Sequence, residues 1–212
     1  MIRRLPIYLL VPALVCALAA CSGTSVKPDM TYRSSYESYE KIADNWTRTG
    51  KVYRNFGTHG LVSATYMSLP MRRVFAAEWS RAFDLPPEER QRILAEQISF
   101  AENRVEFVLS FYTPKVQHND LSKSGSSWRL WLIDAKGAKV DAARIQRLRV
   151  RHKKEYFFFP HYDRWSRLYR VIFPRKGPDG QPLVTESGTV TLRVTGIEGQ
   201  VDLVWDIPPG VH

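Results

Sequence analysis

Thr189-Val190-Thr191-Leu192-Arg193-Val194-Thr195-Gly196-Ile197-Glu198-Gly199-Gln200-Val201-Asp202-Leu203-Val204-Trp205-Asp206-Ile207 is the stretch whose reading decides the fold class. Val190, Leu192 and Val194 recur at every second position on the way out. Val201, Leu203, Trp205 and Ile207 do so on the way back. A period of two is the mark of a strand with one buried face, because successive side chains point to opposite sides of a sheet. Gly196-Ile197-Glu198-Gly199 turns the chain between the runs, and Pro208-Pro209-Gly210 stops the second one.

The same period extends upstream. Tyr169, Val171 and Phe173 alternate ahead of the turn signal Lys176-Gly177-Pro178-Asp179-Gly180. Trp128, Leu130 and Leu132 alternate ahead of Ala135-Lys136-Gly137-Ala138. Val105, Phe107, Leu109 and Phe111 alternate against Glu106, Val108, Ser110 and Tyr112, which places the latter set on a solvated face. Val52 to Phe56 and Leu61 to Met67 flank Gly57-Thr58-His59-Gly60, which reads as a hairpin turning on those four residues. Residues 114–127 are polar and read as the most flexible loop. About eight short strands with polar turns predict a mainly β, α+β chain built as an antiparallel sandwich or barrel. The end of the chain resembles immunoglobulin-like envelope domains, so the expected architecture is an immunoglobulin-like β-sandwich.

Two regions break the period. Tyr32, Tyr36, Tyr39, Ile42 and Trp46 follow helical spacing, and Ser34-x-x-Glu37 matches a capping box, which predicts a helix over about 33–47 ended by Thr49-Gly50. Its aromatic stripe packs on its own domain, or else grips a partner or a membrane surface. Ser68-Leu69-Pro70 is a helix start with proline in the first turn. Met71, Val74, Phe75, Trp79, Ala82 and Phe83 form one face of that helix. Asp84-Leu85-Pro86-Pro87-Glu88-Glu89 starts a second one, with acids where the helix dipole favours them. The sandwich is therefore expected to carry an N-terminal helix and a two-helix insertion at about 69–101.

The first residues say where the chain is sent. Arg3 and Arg4 precede a mostly apolar run, Leu5 to Ala20, containing Pro6 and Pro12. A positive start, a short apolar stretch and small residues at its end mark an export signal. The run is short of the roughly 20 apolar residues a permanent span needs. Leu18-Ala19-Ala20-Cys21 resembles the lipobox of bacterial lipoproteins, a likeness that covers residues 1–22. The resemblance implies that Cys21 receives a diacylglycerol on sulfur, that residues 1–20 are removed, and that the new amine is acylated. Several acyl chains make an anchor that one chain does not. Ser22, rather than an aspartate, is what the same resemblance associates with transfer to the outer membrane. An ordinary cleaved signal and an uncleaved helix are the other readings. Residues 21–31 then form the lipidated cysteine and a flexible tether, and 32–212 a single β-rich domain facing the periplasm. The tether's ten residues, 22–31, span about 17 Å as a coil.

Composition narrows the chemistry. Aromatic residues make up 12% of the chain, with six Trp, which requires a packed core rather than a disordered segment. Cys16 leaves with the signal and Cys21 is lipidated, so the mature chain has no disulfide or thiol chemistry. Its 31 basic residues less Arg3 and Arg4, set against 21 acids, leave +8. That surplus suits anionic partners without naming one.

Arg147, Arg149, Arg151 and Lys153 alternate with Leu148, Val150 and His152. On a strand the four cations share one face at spacings of roughly 6.6 Å, a row for lipid headgroups, lipopolysaccharide phosphates or an acidic partner. The competing readings are an edge strand guarded by charge and a helix over 141–152. Tyr156 to Phe159, Tyr162 and Trp165 line an aromatic groove for glycan or peptide, or else pack as core and loop. His161-Tyr162-Asp163 offers two ligands on one side of an extended segment, too few for a metal site. The sequence has no Gly-x-Ser-x-Gly, phosphate loop, dinucleotide fingerprint or His-Glu-x-x-His. The expectation is a membrane-anchored, non-enzymatic binding or assembly module of the envelope, without cofactor, metal or nucleic acid. Its partners are the membrane through Cys21 and an envelope protein or anionic envelope polymer. The alternatives are a peptidoglycan-, lipopolysaccharide- or glycan-binding lipoprotein, and a hydrolase assembled by the fold.

Overall fold

The computed structural model describes residues 30–54, 56–150 and 153–211, and the side chains among them outside 30–37 and 153–155. The signal, Cys21 and most of the tether lie outside the described residues. In chain order the elements are α1 (Met30–Trp46), β1 (Thr47–Arg54), β2 (Gly57–Tyr66), α2 (Leu69–Ala82), α3 (Pro87–Asn103), β3 (Arg104–Tyr112), β4 (Trp128–Ile133), β5 (Lys139–Asp141), β6 (Arg144–Leu148), β7 (Arg167–Pro174), β8 (Thr189–Gly196) and β9 (Gly199–Asp206). They form two antiparallel sheets, ordered β1-β2-β3-β7-β6 and β5-β4-β8-β9. Strands stacked in two sheets with three helices make an α+β β-sandwich.

The core follows from the alternation. Val190, Leu192, Val194, Leu203, Trp205 and Ile207 are all buried. Phe107 of one sheet meets Trp205 of the other at 5.1 Å, and Phe111 meets Trp128 edge-on at 5.1 Å. These cross-sheet aromatic contacts add to simple area burial. The Trp205 indole N–H also donates to the carbonyl of Trp46 at 2.7 Å, which ties the end of α1 to the sandwich.

Several expectations are corrected. α1 begins at Met30, so Ser34 lies inside the helix rather than at its cap, and the last two tether residues are helical. Gly50 is no helix stop. It sits in β1, where a β carbon would collide with Val201 of β9, so glycine lets the two sheets close together along that edge. The chain turns between the paired Arg54 and Gly57, where Phe56 sits, and not on residues 57–60. Gly60 is a packing glycine, since a β carbon there would lie 3.1 Å from Phe111. The loop 114–127 is pinned: Leu121 and Asn119 are buried, and the Asn119 amide donates to the carbonyl of Phe111 at 2.7 Å.

The largest correction concerns β3. Glu106, Val108 and Ser110 are buried as well: Glu106 meets Arg72 of α2, and Ser110 donates its hydroxyl to Ser166 of the β6–β7 connection at 2.9 Å. Ser68 caps α2 through the backbone N–H of Met71, with Pro70 in the first turn as the sequence indicates. The insertion runs from Leu69 to Asn103, two residues beyond its expected end. The stripe on α1 faces inward where its side chains are described. Tyr39 and Trp46 are buried, and Tyr39 donates its hydroxyl to the carbonyl of Phe158 at 2.9 Å.

Truncating Trp205 to alanine should cost about 3–5 kcal/mol by loss of buried surface and an unfilled cavity. Urea denaturation with an unchanged m-value checks this; a loss below about 1 kcal/mol would contradict the assigned core.

Candidate functional site

The residues singled out in the sequence are only partly brought together. β6 ends at Leu148, so the four cations do not share one strand face. Arg147 is exposed on β6, and Arg149 is exposed just beyond it. Arg151 lies outside the described residues, as does Cys21, and Lys153 opens a 3-10 turn, Lys153–Phe158. The row fails because Phe158 anchors the chain elsewhere. It is buried against Tyr39, Phe75 and Trp79, with ring centres 5.1–5.7 Å apart, and this draws the segment off the sheet and over the helices. β6 itself is the edge of its sheet, which fits the charge-guarded edge.

The Arg147 charge acts on Tyr162. Burial raises the Tyr162 phenol above its usual range, neighbouring Tyr156 pushes the same way, and the Arg147 charge opposes both. The Tyr156 and Tyr162 rings stack at 5.4 Å. Trp165 is 70% exposed, with the Arg164 guanidinium 5.8 Å from its ring centre. Asp163 is a loop staple: its Oδ1 accepts the backbone N–H groups of Trp165 and Ser166, each at 2.8 Å. His161 to Asp163 turns rather than extends, and burial lowers the His161 pKa, opposed by the charge of Asp44. Among the described residues no group of three His, Cys, Asp or Glu is placed to hold a metal.

Sequence reasoning missed a buried ionic knot. Glu106 Oε2 accepts from Arg72 Nη2 at 2.6 Å, and its other oxygen accepts from Arg170 Nε. Arg72 also donates to the carbonyl of Met67 at 2.9 Å and to Gln97 Oε1 at 2.8 Å. Both guanidinium groups sit within 5 Å of the Phe100 ring centre. Burial lowers the Arg72 pKa, and the Glu106 carboxylate works against that shift. With both carboxylate oxygens of Glu106 engaged, this constellation joins strands to helices. Nearby, Tyr66, Met67, Leu69, Ile98 and Ala101 floor a cavity of about 300 Å³ rimmed by Arg73, Glu102, Arg104 and Arg175. Burial raises the Tyr66 phenol, while a hydrogen bond from Arg175 pulls it down.

A second missed feature is one end of the sandwich. Register places Gly57 opposite Arg54, Tyr112 opposite Leu61, Arg167 opposite Phe111, and Gly196 opposite Trp128. The β1–β2 turn, the β3–β4 loop, the exit of the β6–β7 connection and the β8–β9 turn therefore share that end. Each presents an exposed apolar side chain: Phe56, Val116, Trp165 and Ile197. Arg54 donates to the carbonyl of Ile197 at 2.7 Å. Glu198 gathers Lys115 at 2.9 Å and His59 at 2.8 Å. The sequence carried one signal for this face, an Asn-Phe pair at the place where a two-residue hairpin favours Asn-Gly.

No family model matches the chain, and no curated protein matches it either.

Two measurements test these contacts. Glu106→Gln leaves Arg72 buried without its counter-charge and should destabilise by about 3–5 kcal/mol in urea denaturation; a neutral result would contradict the knot. The Lys115 ammonium holds the Glu198 carboxyl below the usual glutamate range, with His59 adding to it. Its folded pKa lies below its unfolded one, so it stabilises above the unfolded value and loses that effect as pH falls through the folded one. Between about pH 5 and pH 3 the wild-type midpoint should fall more than that of Glu198→Gln, and parallel curves would refute the pairing.

Proposed function

We propose that the chain is a lipid-anchored binding module of a bacterial cell envelope, moored through Cys21, most simply at the outer membrane facing the periplasm, and not an enzyme. The observation that carries the reading is the four-loop end of the sandwich. It gathers exposed apolar side chains and cations, while its acids Glu198 and Asp163 are committed to holding loops in place. A surface of that kind recognises a partner; it does not assemble an acid, a base and a nucleophile. Among the described residues no helix is long and apolar enough to cross a membrane, so anchoring in this account depends on the lipid.

An immunoglobulin-like ancestry fits the strand order. With β1 set aside as an added edge, β2-β3-β7-β6 and β5-β4-β8-β9 follow the A-B-E-D and C′-C-F-G arrangement. The binding end then carries the loops that immunoglobulin-like domains use for recognition. A second reading, binding of glycan, peptidoglycan or lipopolysaccharide, is favoured by the Tyr156–Tyr162 stack beside Arg147 and by exposed Trp165.

Cells fed radioactive palmitate should yield a labelled, membrane-bound protein. Cys21→Ser should abolish label, processing and membrane retention together. An unlabelled wild type, or a serine variant processed and retained as before, would overturn the anchor.

A further inference from the structure

We infer that the four-loop end seats in the headgroup zone of an anionic phospholipid bilayer, an inference that rests on the binding reading above and names its partner. Phe56 is the strongest sign. It occupies the second position of a two-residue hairpin loop with φ of 60°, a left-handed conformation that glycine or asparagine adopts cheaply and a bulky side chain does not. Its ring is fully exposed, so no packing contact within the domain offsets that strain. Strain held at an exposed aromatic points to use rather than to folding.

The surroundings select the occupant. Val116, Trp165 and Ile197 are exposed on three other loops at the same end, each on its own connection. A rigid protein partner needs a matched socket for each; the interfacial zone of a bilayer accepts isolated apolar side chains side by side. Charge agrees. Arg54, Lys123 and Arg164 are exposed and pair with no carboxylate among the described residues. The acids at this end are engaged: Glu198 by Lys115 and His59, Asp163 by two backbone N–H groups, and Asp120 by Ser126. Cations ringing apolar tips are drawn to anionic headgroups within a Debye length and hold the tips at the interface.

The test uses residues 21–212, the mature chain that the anchor reading implies, carrying Cys21→Ser, so that no export signal inserts by itself and one introduced thiol bears an environment-sensitive fluorophore. The thiol is placed by Phe56→Cys, by Ile197→Cys, or by Gln181→Cys, an exposed site beyond the far end of β7. Vesicles contain phosphatidylcholine with or without phosphatidylglycerol. Labels at 56 and 197 should shift to the blue in anionic vesicles and be quenched by lipids brominated near the headgroup. The label at 181 should stay water-like. Arg54→Gln with Arg164→Gln should raise the phosphatidylglycerol content needed for half the shift. Water-like emission at 56 and 197 in anionic vesicles would overturn the proposal, and so would equal insertion into vesicles of phosphatidylcholine alone. The cysteine-free background makes the result independent of lipidation, so a failed anchor is read from palmitate labelling and a failed bilayer contact from these spectra.

Discussion

A carboxylate buried on the outer face of a central strand organises this molecule. Glu106 cannot remain charged in an apolar interior without partners, and it takes two: Arg72 from α2 and Arg170 from β7. Arg72 in turn satisfies the carbonyl of Met67 at the β2–α2 junction and the side chain of Gln97 on α3. One carboxylate thereby binds β3, β7 and both inserted helices. The insertion is a third layer of the fold, fixed by a charge that has nowhere else to go. Removing one partner is costly in such a knot, although a well-packed apolar replacement of the whole group need not be.

That third layer frees the opposite features for other work. Phe158 caps the helix side, and Trp205 with Phe107 fills the space between the sheets. The helices cover one sheet, and the loops are set on the core packed between the two, a common arrangement for recognition surfaces. Arg54 and Glu198 then lock separate loops to one another across the end of the sandwich.

The parts legible in the sequence were those whose period reports burial directly. Val190 to Ile207 placed a hairpin correctly, and Ser68 with Pro70 placed the start of α2 to the residue. Periodicity failed where two causes give one pattern. Glu106 alternates with apolar residues whether its side of the sheet meets water or a helix, so composition could not reveal a buried ion pair. The cations from Arg147 to Lys153 alternate as a strand would, yet the strand stops at Leu148 because an aromatic ten residues later is needed elsewhere in the core. Gly57 and Gly60 read as turn residues, while Gly60 serves close packing against Phe111 and the chain turns before Gly57, next to Phe56. The loop face was illegible for a related reason. Phe56, Val116, Trp165 and Ile197 are far apart in sequence, and only the strand register brings their loops to one end.

Native-state hydrogen exchange tests the central claim most directly. If Glu106 welds the helical layer to the sheet, amides of β3 and of α2 should open together, at the free energy of global unfolding. If α2 exchanges through a separate opening of lower energy while β3 stays protected, the helices are an appendage and the account is wrong.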